Sequence, residues 1–338
     1  MIGSGSVVCF GELLLRLSPP DRELLLQGST LDAQFGGAEA NVAIGLARLG
    51  RTTRMTSLVP DHALGGAAID HLRRHGVDIA GVARAPGRLG LYFLTPGASL
   101  RASSIIYDRA GSSFAEADSA AFDWPTLLDG AALLHLSGVT PALGPRSAAL
   151  ALAAAKAARQ AGVPVSFDGN YRASLWQMWD SDPRAILTKL VDMADIFFGN
   201  HRDIGLLLGH PFDDGGPDRR REAAEAAFEA FPRLQLIAST ARQVEDADRH
   251  RLSARIDTRA GAHQTEEITV PGIVDRIGGG DAFAAGVLHG LLDGGAPETA
   301  VRSGLALACL KHSLPGDASL FSQADIDAFW NDGLDVRR

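Results

Sequence analysis

Apolar positions recur with two periods along the chain, and the place where those periods begin to alternate regularly divides it. "VVCFG" (7–11) is a short apolar run of the kind that makes a buried strand. "LLLRLSPPDRELLLQ" (13–27) carries apolar clusters on both sides of a Pro-Pro-Asp turn, which predicts two strands joined as an early hairpin. In "GGAEANVAIGLARLG" (36–50), Val42, Leu46 and Leu49 fall at helical spacing and Gly50 supplies the stop. A strand over 53–59 and a helix over 64–75 follow. Alternation at 89–95 and 103–109, interrupted by "PGASLRA", predicts a second hairpin.

From about residue 131 the pattern becomes strictly alternating. The strands "ALLHLSG", "VPVSFDGN", "DIFFGN" and "LQLIAST" interleave with helical stretches at 145–161, 182–193 and 218–231. An edge hairpin (251–270), a helix over 279–292, another over 297–314 and a short terminal one complete the chain. Alternating strands and helices imply an α/β fold built on a mostly parallel sheet, covered on both faces. Ligands of such sheets sit at the carboxyl ends of the strands. Polar residues cluster there: Asp168 and Asn170, Asn200, Ser239 and Thr240. The two hairpins are the natural material for a small β-strand lid, residues 13–30 and 88–110, on a single domain spanning 1–338. No internal repeat or low-complexity linker interrupts it.

Composition narrows the partners. Of 338 residues, 46% are hydrophobic and 21% charged, as in ordinary soluble globular proteins. A formal net charge of -8 argues against a nucleic-acid or membrane-surface partner, since both select a basic face, and favours a small molecule. Cys9 and Cys309 suggest buried free thiols in a reducing compartment and no disulfide framework. The first residues, "MIGSGSVVCFGELLLRL", lack a basic leader, and Glu12 and Arg16 interrupt the apolar run, so a cytoplasmic protein is expected. His71 and His75 in "HLRRH" lack the acid of a zinc-protease motif and read as a solvated helix face.

The stretch "VDRIGGGDAFAAG" (274–286) sets three glycines and an acid before an Ala-rich helix. Unpaired N–H groups at a helix N-terminus attract anions, and Gly278, Gly279 and Gly280 let a phosphate approach the backbone. Asp281 can then take a proton from an attacking hydroxyl. The same residues also suit a plain turn with a helix cap, and the local stretch does not separate the two. No P-loop motif occurs, and "GSGSVV" precedes a strand rather than opening a helix, which excludes a dinucleotide fingerprint.

Together, "GGAEANVAIGLARLG" and "DRIGGGDAFAAGVLHGL", about 240 residues apart and in that order, resemble the paired motifs of the ribokinase-like (PfkB) carbohydrate kinases over nearly the whole chain. The resemblance implies a three-layer ribokinase-like fold, ATP and Mg2+ as cosubstrate and metal, Asp281 as catalytic base and Gly278–Gly280 as anion hole. It also implies that Asp275 is linked to a monovalent cation such as K+, or to the shape of the loop. "YDRAGSSFA", "FDGNYRASLW" and "DRIGGGD" are most similar to the subgroup that phosphorylates 2-keto-3-deoxygluconate at its C6 hydroxyl. That subgroup implies Tyr107, Arg109 and Arg172 for the acid group, with Gly36, Gly37, Asn41 and Tyr92 lining the sugar pocket. A planar guanidinium fork suits a carboxylate, which a neutral sugar does not present. Asp168 and Asn170 are expected to position Arg172 or hydrate the phosphate path.

The chain departs from the family twice. In "GNHRD", Asn200 is retained for the nucleotide but Asp203 stands where a glutamate is usual, one methylene shorter for an outer-shell contact to magnesium. "IASTARQ" lacks the glycines of the usual nucleotide loop; it is either a strand end or a place where Ser239, Thr240 and Arg242 contact phosphate. "CLKHSLPGD" resembles the helix and loop beside adenine, which implies Lys311, His312 and Gly316 there. The apolar lid edges "LLLRL" and "LYFLT" predict a homodimer through the lid. A kinase for another sugar such as fructose, and a silent sugar-acid sensor, remain as rivals.

Overall fold

The protein is described here by a computed structural model covering residues 5–213 and 216–331. The start of the chain, including the first residues of "GSGSVV", lies outside the described residues, as does the end of the expected 1–338 domain. The chain forms β1 (Ser6–Phe10), β2 (Leu14–Ser18), β3 (Asp32–Gly36), β4 (Thr53–Pro60), β5 (Asp78–Ala85), β6 (Gly90–Thr95) and β7 (Ser104–Asp108). There follow β8 (Ala131–Ser137), β9 (Val165–Asp168), β10 (Ile196–Phe198), β11 (Leu236–Asp246), β12 (Arg249–Thr258), β13 (Ala262–Gln264) and β14 (Ile268–Pro271).

The main sheet runs β13-β12-β11-β10-β9-β8-β1-β4-β5, with β14 also on β12. Every neighbouring pair from β11 to β5 is parallel. The chain leaves β1 toward β4 on one side and later returns to β8 on the other, so the sheet has its switch point beside β1. A ligand crevice belongs outside that carboxyl end.

Helices cover both faces and make the expected three layers. One core packs Ala38–Arg48, Ala63–Arg74, Gly279–Leu292 and Pro297–Lys311 against the sheet; the other packs Pro145–Gln160, Pro183–Asp192 and His201–Leu208. The Ala-rich helix after the glycines is buried from Ala282 to Gly290. Its small side chains serve contact: a Cβ at Gly286 would lie 2.7 Å from Gly304 Cα of the neighbouring helix. Among the described residues, no helix is long and apolar enough to cross a membrane.

The lid is a second sheet, β3-β2-β6-β7. Its first hairpin differs from the expectation. Residues 23–27 form turns and exposed coil, and the strand partner of β2 is β3 at Asp32–Gly36. Leu24 and Leu26 are exposed, so an apolar triplet without a sheet to bury it did not make a strand. "LLLRL" and "LYFLT" are also not edges: β2 and β6 lie inside the lid sheet, paired parallel to each other, and the edges are β3 and β7. "IASTARQ" continues into an eleven-residue strand, β11, paired antiparallel with β12, rather than ending at the sheet rim. His71 and His75 are half-buried, not solvated; their rings lie 4.9 Å apart and His71 meets Phe35 of the lid.

Candidate active site

The site is organised by the start of the helix Gly279–Leu292. Gly278 has φ 77°, and a Cβ there would lie 1.6 Å from the carbonyl oxygen of Asp317, so no other residue fits. A Cβ at Gly280 would meet nothing, which leaves open space at the helix mouth. The N–H groups of Gly280 and Asp281 belong to the first turn and lack intrahelical acceptors, with the positive end of the helix dipole behind them.

Asp281, the third residue of this helix, is half-buried and accepts a 2.7 Å hydrogen bond on Oδ2 from Asn41 Nδ2. Asn41 sits on the first turn of Ala38–Arg48, whose preceding glycines are demanded by crowding. A Cβ on Gly37 (φ 146°) would lie 2.2 Å from Glu12 O, and one on Gly36 2.3 Å from Asp317 Oδ2. Two motifs 240 residues apart thus meet at one hydrogen bond. Asn41 Oδ1 is buried and takes no hydrogen bond among the described residues. The Asp281 carboxyl is pushed up to about 8, chiefly by burial. The Asn41 hydrogen bond and Arg172 oppose that rise, and Asp168 and Asp317 add to it.

One row of the lid sheet faces this point. Pairing aligns Gln34, Arg16, Tyr92 and Tyr107 across its four strands. Tyr92, Leu14, Leu94, Ile105 and Tyr107 pack together against Ile277, directly beside the glycine loop. The rings of Tyr92 and Tyr107 lie 6.3 Å apart in this row, and Tyr92 does not present its hydroxyl freely: it donates to Asp317 Oδ2. Arg109 also differs from the expected free cation. It is buried, with Nε donating to Glu12 Oε2 at 2.7 Å, and Ser112 Oγ donates to the same carboxylate. A guanidinium buried under the lid needs such a partner.

At the strand ends the expected residues converge. Asp168 closes β9, and Asn170, in a left-handed turn, donates its N–H to Asp168 Oδ1 at 3.0 Å. Arg172 is exposed, with its Nη1 bonded only to the Tyr171 carbonyl among described contacts, and its charge reaches Asp168, Asp203 and Asp281. Asp168 is pushed up to about 7 by burial, which Arg172 opposes and Asp203 reinforces. Asn200 and Asp203 form a capping box on His201–Leu208: Asn200 Oδ1 accepts from Arg202 N, and Asn200 N donates to Asp203 Oδ2, each at 2.8 Å. Ser239, Thr240 and Arg242 lie along β11. Burial lowers the Arg242 pKa, and so do Arg276 and Arg172, which places three guanidiniums within electrostatic reach of each other.

The adenine assignments require correction. Lys311 is fully buried, and its Nζ donates to the carbonyls of Asp275 (3.2 Å) and Leu314 (3.1 Å). His312 is buried, with Nδ1 on the Ala308 carbonyl at 2.7 Å, its ring beneath Gly279 and its pKa lowered to about 4 by burial. Gly316 donates its N–H to Asp275 Oδ2 at 3.1 Å and faces Gln34 of the lid. The helix Pro297–Lys311 ends early enough for the turn 312–317 to fold back over the glycine loop, which turns these residues inward.

Sequence reasoning missed Glu12, Arg16, Glu39, Arg276 and Asp317. Arg16 bridges Asp275 (2.6 Å) and Asp317 (2.7 Å), all buried. Glu39 Oε1 accepts from Ser137 N, Ser137 Oγ and Thr140 Oγ1 at 2.7–3.0 Å, pinning the Gly36–Gly37 helix to the end of β8. The signal was present: charges inside the apolar runs "GELLLRL" and "GGAEANVA" have to be paired where they are buried. No group of three or more His, Cys, Asp or Glu able to cage a metal occurs among the described residues. The desolvated, mutually repelling carboxyls of Asp168 and Asp203 do fit a hydrated divalent cation brought in with a nucleotide.

A carboxyl, Asp281, beside an open helix N-terminus in a doubly covered, mostly parallel sheet is an arrangement that suits phosphoryl transfer. The profile of the pfkB family carbohydrate kinases matches residues 4–323, and the chain belongs to that family. It is 31% identical to a 2-dehydro-3-deoxygalactonokinase of Haloferax volcanii, covering 96% of both chains, and 29% identical to a 2-dehydro-3-deoxygluconokinase of Bacillus subtilis, covering 92% of this chain and 90% of that one. The crystal structure of 2-dehydro-3-deoxygluconokinase from Thermotoga maritima superimposes with a TM-score of 0.91 at 36% identity, over 96% of this chain and 98% of that one.

Proposed function

We propose that this carbohydrate kinase phosphorylates 2-keto-3-deoxygluconate at its C6 hydroxyl, using ATP, to give 2-keto-3-deoxy-6-phosphogluconate. The observation that carries the chemistry is Asp281, held by Asn41 at a helix mouth that is otherwise empty. Asp281 takes the proton of the C6 hydroxyl while its oxygen attacks the γ-phosphorus in line; the new O–P bond forms as the bond to ADP breaks. The N–H groups of Gly280 and Asp281 stabilise the charge that develops on the phosphoryl oxygens. Arg242 and Arg276 hold the polyphosphate. Asp203 and Asp168 would hold the waters of a magnesium ion carried with ATP, which would supply charge to offset the phosphates. The lid row Tyr92 and Tyr107 covers the sugar and excludes water.

Arg172 supports an acid substrate. It is an exposed guanidinium whose planar donor fork suits a carboxylate acceptor. The names of the Thermotoga and Bacillus relatives support the gluconate epimer, and that of the Haloferax relative supports the galactonate epimer as a second reading. An ADP-release assay with both epimers, fructose and ribose decides. Turnover of the gluconate acid in preference to the others is expected, turnover confined to neutral sugars would sink the acid assignment, and Arg172→Ala should raise KM for the acid far more than it lowers kcat. We further propose that the enzyme works in the cytoplasm and that a second copy of the chain packs on its lid.

A further inference from the structure

An acid at the position of Asp275 implies, by family resemblance, either a monovalent cation beside the glycine loop or a role in shaping that loop, and the residues present do not fit a free cation. Both oxygens of the Asp275 carboxylate and the carbonyls nearest it are engaged. Asp275 Oδ2 takes Arg16 Nη2 at 2.6 Å and Gly316 N at 3.1 Å, and its Oδ1 takes Ile277 N at 2.9 Å. The backbone carbonyls of Asp275 and Leu314 are taken by Lys311 Nζ. The cluster balances two buried cations, Arg16 and Lys311, against Asp275 and Asp317.

The carbonyls that Lys311 joins belong to two different segments. One precedes the anion-hole glycines; the other lies in the turn 312–317, whose Asp317 carbonyl presses on Gly278. Further ties run the same way, from Val274 N and Asp275 N to His312 O at 2.8 and 3.3 Å. An ammonium has the charge of K+ and also binds carbonyl oxygens, and three tetrahedral donors suit a narrow cage. Burying it without partners would be very costly, so its location is set by those carbonyls.

We propose that the Lys311 ammonium is a tethered monovalent cation: it clamps the Asp275 and Leu314 carbonyls, fixes the Gly278–Gly280 anion hole, and makes turnover independent of K+. Lys311 is thus a positioning residue, touching neither substrate nor phosphate. The inference rests on the kinase reading but not on which sugar acid is used.

The test is a cation series on the full chain in KCl, NaCl and choline chloride at equal ionic strength, with any acceptor that turns over. Rates equal within about twofold are expected, because no cation has to bind; K+ activation of about tenfold or more overturns the inference while leaving the kinase reading intact. Lys311→Met keeps the stem and removes the charge. It should lose about 10–100-fold in kcat in choline, with KM for the sugar acid little changed, and regain part of the loss with K+ or NH4+ but not tetramethylammonium. Near-wild-type kcat in choline overturns the proposal. Should the variant not fold, or no acceptor be turned over, the melting temperature of the wild type decides: it should be equal in KCl and choline, and a K+-specific rise of about 2 °C or more would mean that a free cation binds and the proposal fails.

Discussion

The site's acid–base behaviour turns on Asp281, whose carboxyl is pushed up by burial and held back by the Asn41 hydrogen bond. Asp281 has to be deprotonated to act as base, and its carboxyl is pushed up to about 8, so kcat/KM should climb with pH until about 8 and fall roughly tenfold per unit below it. Asn41→Ala removes the donor that favours the charged form, so the acidic limb should move to higher pH. An unmoved limb would mean that Asp281 is not the titrating group. Asp281→Asn should cost about 10²–10⁴-fold in kcat with substrate binding largely kept. Stability follows by linkage. The folded pKa lies above the unfolded value of about 3.9, so folding takes up a proton between those pH values and stability falls as pH rises through that window. The melting temperature of Asp281→Asn should therefore gain on the wild type from pH 5 to pH 8, and a constant difference would contradict the raised pKa.

Among elements, the Ala-rich helix behind the glycines is the one that matters most. Read alone, its composition states only helix propensity. In the fold it is buried on nearly every side, and its small residues let it approach Pro297–Lys311 closely enough to set where its N-terminus points. Gly286→Val has no room against Gly304, and overpacking of this kind costs about 1–3 kcal/mol. We expect a lower melting temperature and a lower kcat from a displaced helix mouth, measured by thermal melts and steady-state rates; full activity at unchanged stability would show that the helix contact does not position the site. The capping box of Asn200 and Asp203 carries a different lesson. Both residues were read as nucleotide and magnesium contacts from a motif, and the geometry gives each a local role in starting a helix that also points its N-terminus at the cleft.

For the molecule as a whole, the lid has two faces with different tasks. Its inner row, Gln34–Arg16–Tyr92–Tyr107, meets the cleft, and its outer row, Ala33–Leu17–Phe93–Ile106, is apolar and half-buried or exposed. Ile106 is 57% exposed and nearby Leu100 is 93% exposed. That face, rather than the strand edges, is where the proposed dimer would rest. The wild type should therefore run at twice its chain mass in light scattering, and Phe93→Glu combined with Ile106→Glu should halve it. A monomeric wild type at micromolar concentration would remove the dimer.

The alternating strands and helices after residue 131, and the glycine-rich helix starts, were legible because periodicity and steric demand act on neighbours in sequence. The motif pair also named Asp281 and Asn41, though not that they touch. Long-range pairing decided the rest. The second lid strand formed at Asp32–Gly36 rather than at the apolar 23–27 because β2 had to be matched across a sheet, which local hydrophobicity does not encode. Lys311, Arg109 and Tyr92 pointed to ligand by motif and turned inward in the fold, because buried acids from distant segments (Asp275, Glu12 and Asp317) required their charges or protons there. The sequence by itself therefore determined the layers and the glycine-rich helix start that carries Asp281. Only the tertiary structure determined which cations are buried against the protein's own acids and which, such as Arg172, stay exposed, because a buried charge is assigned by whatever packs against it.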